Sequence, residues 1–407
     1  MARPEKLSAG SEPREASRQQ VVSMIRSAGQ IARIDIAQAT GVSPATVTAI
    51  TAELIQAGLI EEVSPDAAPA TPGRGRPRVS LRVRGAAHIL AGIKVSASTI
   101  STILIDFDGT TLSEHKSPLP EAQMPPERLV QRIVETLGAA AAETGREIAD
   151  LSGLGVGLSG VIDVPEGLVH WSPSMSRRNV ALRDMLEAAL PMPVFLDNDA
   201  NLVAKAEQLF GEGRGVRDFL VVTIEHGVGM GIIIDGQVYR GTRGCGAEFG
   251  HTKVHLGGAL CRCGQRGCLE AYVADYALLR EATGTLPELT GNTPEEKLDR
   301  LFAAARAGDD TAQSILERAS RMFAVGLANL VNIFDPALII VSGERMSHDF
   351  LYSDEVIAMM RTQVMQVDAP PPEVRIHKWG DMMWAKGAAA YAMEGVTGLA
   401  VRKMSDA

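Results

Sequence analysis

At 407 residues, with 45% hydrophobic and only 4% aromatic residues, the chain is too long for one average domain and reads as two or three compact α/β-type units. No uninterrupted apolar run approaches the ~18 residues a membrane helix needs, and the first twenty residues (MARPEKLSAGSEPREASRQQ) are charged, without the apolar centre of a secretory signal, which points to the cytoplasm. The formal net charge of −9 is uneven: residues 1–84 carry 11 Lys/Arg against 8 Asp/Glu, so a mildly basic head precedes an acidic body.

In chain order, residues 18–28 place Val21, Val22 and Ile25 on one helical face. A second short helix fits Arg33–Thr40, and Gly41 ends it. Ser43-Pro44 then supplies a capping hydroxyl and a first-turn proline for a helix over Pro44–Gln56, which buries Val47, Ile50 and Leu54 and closes at Gly58. Helix, glycine turn and capped helix read as a helix-turn-helix, with Pro44–Gln56 as the recognition helix. Leu59–Val63 and Val79–Val83 are two short strands flanking a Pro/Gly/Ala loop, which makes a wing bearing Arg74, Arg76 and Arg78. Near its start the recognition helix offers Ser43, Ala45, Thr46, Thr48 and Ala49 to DNA, with no Arg or Lys. Such small, methyl-bearing side chains favour thymine methyls and an A·T-rich target, with phosphate affinity coming from the arginines outside the helix.

From about residue 85, strand and helix signals alternate. Ile89–Val95 and Thr102–Phe107 read as strands, the second closed by an Asp108-Gly109 turn. A long Ala-rich helix spans Pro126–Thr144, followed by a strand and loop at Leu154–Asp163 and a strand at Val194–Leu196. That strand leads directly into Asp197-Asn198-Asp199-Ala200-Asn201. A second set opens with the strand Phe219–Ile224, has an Asp235-Gly236 hairpin turn and ends near the strand Ala337–Val341. Two similar halves predict a two-lobed α/β body with a ligand cleft between the lobes.

Three of the four cysteines lie within eight residues, a spacing that suits a metal better than a disulfide framework in a cytoplasmic protein. His251 with Cys261, Cys263 and Cys268 forms a Cys₃His set, with Gly264 and Gly267 folding the loop. A closed four-ligand shell implies structural Zn²⁺; His255 could replace His251, and Cys245 reads as an ordinary small residue.

Glu248-Phe-Gly-His251 followed by Cys-x-Cys-Gly-x-x-Gly-Cys-Leu-Glu270 resembles the signature of the ROK family of repressors, uncharacterised open reading frames and sugar kinases. The resemblance spans nearly the whole chain. It implies an N-terminal winged helix-turn-helix (1–84) followed by a two-lobed actin-like (RNase H-like) sugar-kinase fold. Its first lobe would take 85–197 plus 385–407, and its second 198–384, which holds the zinc motif. It further implies that Asn198, Asp199, Glu248, His251 and Glu270 contact sugar hydroxyls, with zinc orienting the His251 imidazole. Against the family pattern, Ser174 stands where an Asn is expected, and Arg177-Arg178 follow, which would suit an anionic sugar.

The nucleotide elements that the same resemblance implies are damaged. Lys94, Ser96 and Ala97 replace the Asp and glycines of the first phosphate loop, Glu225 enters the second, and the adenosine-side glycine turn is reduced to Ser342-Gly343. The expectation is therefore a non-enzymatic, sugar-responsive DNA-binding repressor of carbohydrate-utilisation genes. It would act as a homodimer or dimer of dimers on double-stranded operator DNA, without catalytic residues; the alternative is an ATP-dependent sugar kinase.

Overall fold

Short helices need a buried face and defined ends, and the N-terminal head supplies both. In the computed structural model the described residues are 12–63, 79–96, 98–121, 123–224, 226–242, 244, 246–286, 291, 293–342, 350–351, 353–365, 370–378 and 382–406. The head comprises α1 (Glu12–Ala28), β1 (Ile31–Ala32), α2 (Arg33–Thr40), α3 (Pro44–Gln56), β2 (Ile60–Val63) and β3 (Ser80–Val83). Gly41 closes α2 in the left-handed region, at φ 71°. Ser43 caps α3 by accepting the Thr46 N–H, with Pro44 at the first helical position. Val21, Val22, Ile25, Ile36, Val47, Ile50 and Leu54 close a core beneath the sheet, whose strand order is β1-β3-β2. Helix α1 starts six residues before the predicted 18. Its first turns carry no apolar face and are tied instead by Arg14 and Arg18 to Glu53 of α3. The wing arginines Arg74, Arg76 and Arg78 lie outside the described residues, as do Ala97, Glu225, Gly343 and Cys245.

The body divides so that one compact unit holds residues 1–197 and 384–407 and the other residues 198–383. In the first, β4 (Ile89–Val95), β5 (Thr99–Asp106) and β6 (Thr111–Pro118) form an antiparallel meander. Helix α4 (Pro126–Ala142) follows, then β7 (Gly153–Leu158), the ribbon β8 (Val161–Asp163) with β9 (Leu168–Trp171), α5 (Leu182–Ala189) and β10 (Val194–Asn198). The predicted segment 154–163 is thus two strands. It breaks at Gly160, where a Cβ would fall 2.1 Å from the Trp171 carbonyl oxygen.

The second unit runs α6 (Asp199–Phe210), β11 (Phe219–Ile224), β12 (Val228–Ile234) and β13 (Gln237–Val238), then α7 (Glu270–Val273), α8 (Asp275–Thr285), α9 (Pro294–Arg306) and α10 (Asp310–Phe334). It continues through β14 (Leu338–Ser342), α11 (Asp354–Gln363) and β15 (Glu373–His377), and α12 (Met383–Asp406) returns the chain to the first unit. The sheet orders are β10-β7-β4-β5-β6 and β13-β12-β11-β14-β15. Each is an antiparallel meander whose first strand also takes a parallel partner, β7 or β14. That repetition is the two similar halves read from the sequence. Helices α9 and α10 pack much of the second core, with Leu298, Leu301, Ile315, Phe323 and Leu327 buried in it. Among the described residues no helix is long and apolar enough to cross a membrane.

Helix α12 lies directly on the first sheet because two strand glycines leave room for its backbone. A Cβ on Gly92 would sit 2.0 Å from the Ala385 carbonyl oxygen, and one on Gly155 would sit 1.9 Å from that of Ala388. Farther along, α12 meets the head. Arg18 donates to Ser405 Oγ at 2.6 Å, and Arg26 donates to Thr397 Oγ1 at 3.4 Å while stacking 4.8 Å from the Phe107 ring centroid. Burial pulls the Arg26 guanidinium down to about 10, with Asp108 and Glu394 opposing the shift. Gly155→Ala should therefore cost about 1–3 kcal/mol in denaturant unfolding, through overpacking against α12. Gly284→Ala in α8, where a Cβ meets nothing within 4 Å, should be neutral or slightly stabilising; equal losses at both positions would contradict this packing.

Candidate metal centre and ligand face

The zinc-type loop is built by short-range pairing and two left-handed glycines. Lys253 bridges Cys268 and Leu260 bridges Arg266 in antiparallel fashion, and the Cys261 N–H donates to the Gln265 carbonyl at 2.8 Å. Gly264 and Gly267 take φ 87° and 77°. A Cβ on Gly267 would also collide with the His255 carbonyl oxygen at 1.9 Å. This folding brings one ligand atom each from His251, Cys261, Cys263 and Cys268 within 4.8 Å of one another. Cys261 Sγ lies 3.7 Å from His251 Nδ1, and Cys263 Sγ lies 3.7 Å from Cys268 Sγ. Bonds of ~2.3 Å at tetrahedral angles would place two sulfurs ~3.8 Å apart, so the four groups fit a tetrahedral metal. Three sulfurs and an imidazole are a soft donor set that disfavours Mg²⁺ and Ca²⁺. His255, the alternative fourth ligand, is directed elsewhere and pairs through Nδ1 with the Tyr272 hydroxyl at 3.2 Å.

Sequence reasoning missed the groups around this set. Lys253 Nζ donates to Cys268 Sγ at 2.9 Å, and that bond holds the ammonium above its usual range. A cation here offsets the excess negative charge of three thiolates. The Tyr276 hydroxyl reaches both Cys261 and Glu270, and Arg280 staples the loop by donating to the Leu260 and Ala271 carbonyls at 2.7 and 2.8 Å. An i, i+2 lysine beside a ligand His was the only visible hint.

The predicted ligand contacts fall in the same unit. Asn198 caps α6, and its Oδ1 accepts the Ala200 N–H at 2.9 Å, an N–H that Asp199 Oδ1 also meets at 3.0 Å. The strand-to-helix junction thereby fixes both side chains. Glu270 opens α7, and its Oε2 accepts the Val228 N–H at 3.3 Å. Glu248 precedes a 3₁₀ turn that carries His251, and its Oε2 lies 4.0 Å from His251 Nε2, the nitrogen not facing Cys261. Burial pushes the Glu248 carboxyl up; His251 opposes this, and the neighbouring Glu270 and Asp199 carboxylates add to it. Three mutually repelling carboxylates and one amide make a face rich in acceptors, suited to a ligand that brings several hydroxyl donors.

In the first unit, the residues at the phosphate-loop position have structural partners. Lys94 is buried with Nζ 3.5 Å from the Trp384 ring centroid, and Ser96 Oγ donates to the Thr99 carbonyl at 2.9 Å while accepting the Thr99 N–H. Ser174 is buried and donates to the Ser96 carbonyl at 3.5 Å. Arg177 forms an ion pair with Glu127, so it is not an uncommitted anion-binding group. On the head, Ser43, Ala45, Thr46, Thr48 and Ala49 are all exposed on the N-terminal half of α3, with Thr48 Oγ1 bonded to the Pro44 carbonyl at 2.8 Å.

A family model described as ROK family matches residues 90–394. The chain belongs to the ROK family. A second model, described as winged helix-turn-helix DNA-binding, matches residues 14–61. Over 351 residues the chain is 28% identical to the N-acetylglucosamine repressor of Escherichia coli O157:H7, spanning 85% of this chain and 84% of that protein. It is also 34% identical over 263 residues to the glucokinase of Streptomyces coelicolor, spanning 62% of this chain and 80% of that enzyme. The crystal structure of a ROK family transcriptional regulator, a homolog of the E. coli MLC protein, superposes with a TM-score of 0.80 at 26% identity. It covers 97% of this chain and 100% of that one. The actin-like α/β body is thus shared by regulators and kinases of the ROK family, and this member carries the winged head.

The ligand assignment is testable by metal analysis of purified variants. His251→Ala and Cys268→Ala should lose bound zinc, whereas His255→Ala should retain about one equivalent. Zinc loss on His255→Ala with retention on His251→Ala would reverse the assignment.

Proposed function

We propose that this ROK protein is a transcriptional repressor of carbohydrate-utilisation genes whose operator affinity is set by a sugar or sugar derivative bound to the second unit. The observation that supports this reading is the union in one chain of a winged head with an exposed, capped helix and a ROK body in which the carboxylates Asp199, Glu248 and Glu270 are neighbours. On DNA, Ser43, Ala45, Thr46, Thr48 and Ala49 meet base edges and the wing arginines Arg74, Arg76 and Arg78 hold phosphates or a narrow minor groove. A homodimer, or a dimer of dimers, presents two heads to half-sites spaced by whole helical turns.

In the body, Asn198, Asp199, Glu248 and Glu270 accept and donate hydrogen bonds to ligand hydroxyls, and His251 presents Nε2 toward the same ligand. Bound by His251, Cys261, Cys263 and Cys268, a zinc ion has a closed shell and supplies rigidity rather than a reactive site. Lys94 and Glu225 place the wrong charges for Mg²⁺-nucleotide, so Asp199 serves as a hydrogen-bond acceptor and not as a base. Ligand binding lowers operator affinity by the ~1–3 kcal/mol typical of allosteric coupling. The relatedness to a glucokinase favours one second reading, an ATP-dependent sugar kinase.

Fluorescence anisotropy on DNA flanking the gene, with a scrambled duplex as control, should show specific binding that one member of a sugar panel releases about 5–150-fold. For Asp199→Ala the ratio of operator affinities with and without that sugar should collapse to one. ATP consumption with the same panel should stay at background. Sugar-dependent ATP turnover without sequence-selective DNA binding would replace the repressor reading by the kinase one.

A further inference from the structure

The hydroxyl of Tyr276 joins the two halves of the site. Its oxygen lies 3.5 Å from Cys261 Sγ and 3.3 Å from Glu270 Oε1. Cys261 belongs to the metal-binding cluster, whereas Glu270 belongs to the proposed ligand face and is held at its other oxygen by the Val228 N–H. The tyrosine is fixed from outside. The Arg262 backbone N–H donates to its oxygen at 3.4 Å, and the Arg262 guanidinium stacks 3.9 Å from the ring centroid. With that lone pair occupied, the phenol has one proton to give and two acceptors within reach. Cys261 Sγ and Glu270 Oε1 are themselves only 3.6 Å apart, so the three groups form a closed triangle.

We propose that Tyr276 is a positioning residue that couples metal retention to ligand binding by sharing its single hydroxyl proton between the Cys261 sulfur and the Glu270 carboxylate. This inference rests on the ligand reading above. When a ligand hydroxyl donates to Glu270, that carboxylate no longer needs the phenol, and the proton goes wholly to the sulfur. The hydrogen-bonded thiolate then holds its metal more firmly. By reciprocity, whatever strengthens metal binding at Cys261 favours the ligand. Tyr276 touches neither base edge nor reacting atom; it acts through Cys261 and Glu270.

The experiment follows zinc release from the full-length, zinc-loaded protein to a chromophoric chelator, with and without saturating glucose, xylose or N-acetylglucosamine. Calorimetry on the same samples reports which sugar binds, and thermal melting reports that the variant is folded. The wild type should release zinc several-fold more slowly with the sugar that binds. Tyr276→Phe keeps the ring and its stacking; it should release zinc about tenfold faster, as outer-shell losses at metal sites do, and the rate should no longer respond to sugar. Glu270→Gln should also lose the sugar response. A Tyr276→Phe protein with wild-type release, or with faster release that sugar still slows by the wild-type factor, overturns the proposal. If the wild type binds none of the three sugars, the ligand reading fails for them. The sugar-free rate then decides alone: faster release in Tyr276→Phe upholds the tie to sulfur, and unchanged release removes it.

Discussion

Three sulfurs and an imidazole nitrogen are packed within 4.8 Å of one another in the second unit, and the groups around them are arranged about that cluster. As thiolates they would repel one another, and a bound cation would offset that repulsion. The loop folds with left-handed glycines at 264 and 267, and Lys253 adds an ammonium against Cys268. The proposed ligand face adjoins this cluster. His251 turns Nδ1 to the cluster and Nε2 toward Glu248, while Cys261 is linked through Tyr276 to Glu270. The cluster thereby ties in groups that are not themselves among its four candidate ligands.

The first unit solves a different problem, that of tying a small DNA-binding head to a large body. Its device is α12, which the glycines at 92 and 155 admit onto the sheet and whose later turns meet α1 through Ser405 and Thr397. Burying Arg26 at this junction is costly. The ring of Phe107 and the charges of Asp108 and Glu394 offset part of that cost, although Nε has no hydrogen-bond partner among the described residues. A buried cation at a contact between two modules favours a defined arrangement over a loose one, and a defined arrangement is what a regulator needs to transmit a binding event.

Much of this was legible in the chain because the signals are local. The Ser43 cap, Gly41, the Asp235-Gly236 turn and the cysteine spacing each encode geometry within a few residues, and each is found where expected. The first turns of α1 were not legible, since their reason is an ion pair to Glu53, distant in sequence. The roles of Tyr276 and Arg26 were likewise invisible, and that of Lys253 was hinted at only by its place two residues after His251. The contacts Tyr276–Cys261, Lys253–Cys268 and Arg26–Thr397 span 15 residues or more, and no spacing rule connects them. Arg177, read as an anion-binding candidate, is engaged by Glu127 from an element 50 residues earlier. Periodicity does mark α9 and α10, whose caps Thr293 and Asp309 precede apolar stripes.

Linkage of sugar binding to operator binding in one chain demands that the effect run both ways. The decisive measurement is the sugar dissociation constant by calorimetry, for free protein and for protein saturated with its operator duplex. Operator DNA should weaken sugar binding by the same factor by which sugar weakens operator binding. Equal sugar affinity in the two states, in a protein that binds both ligands, would contradict it.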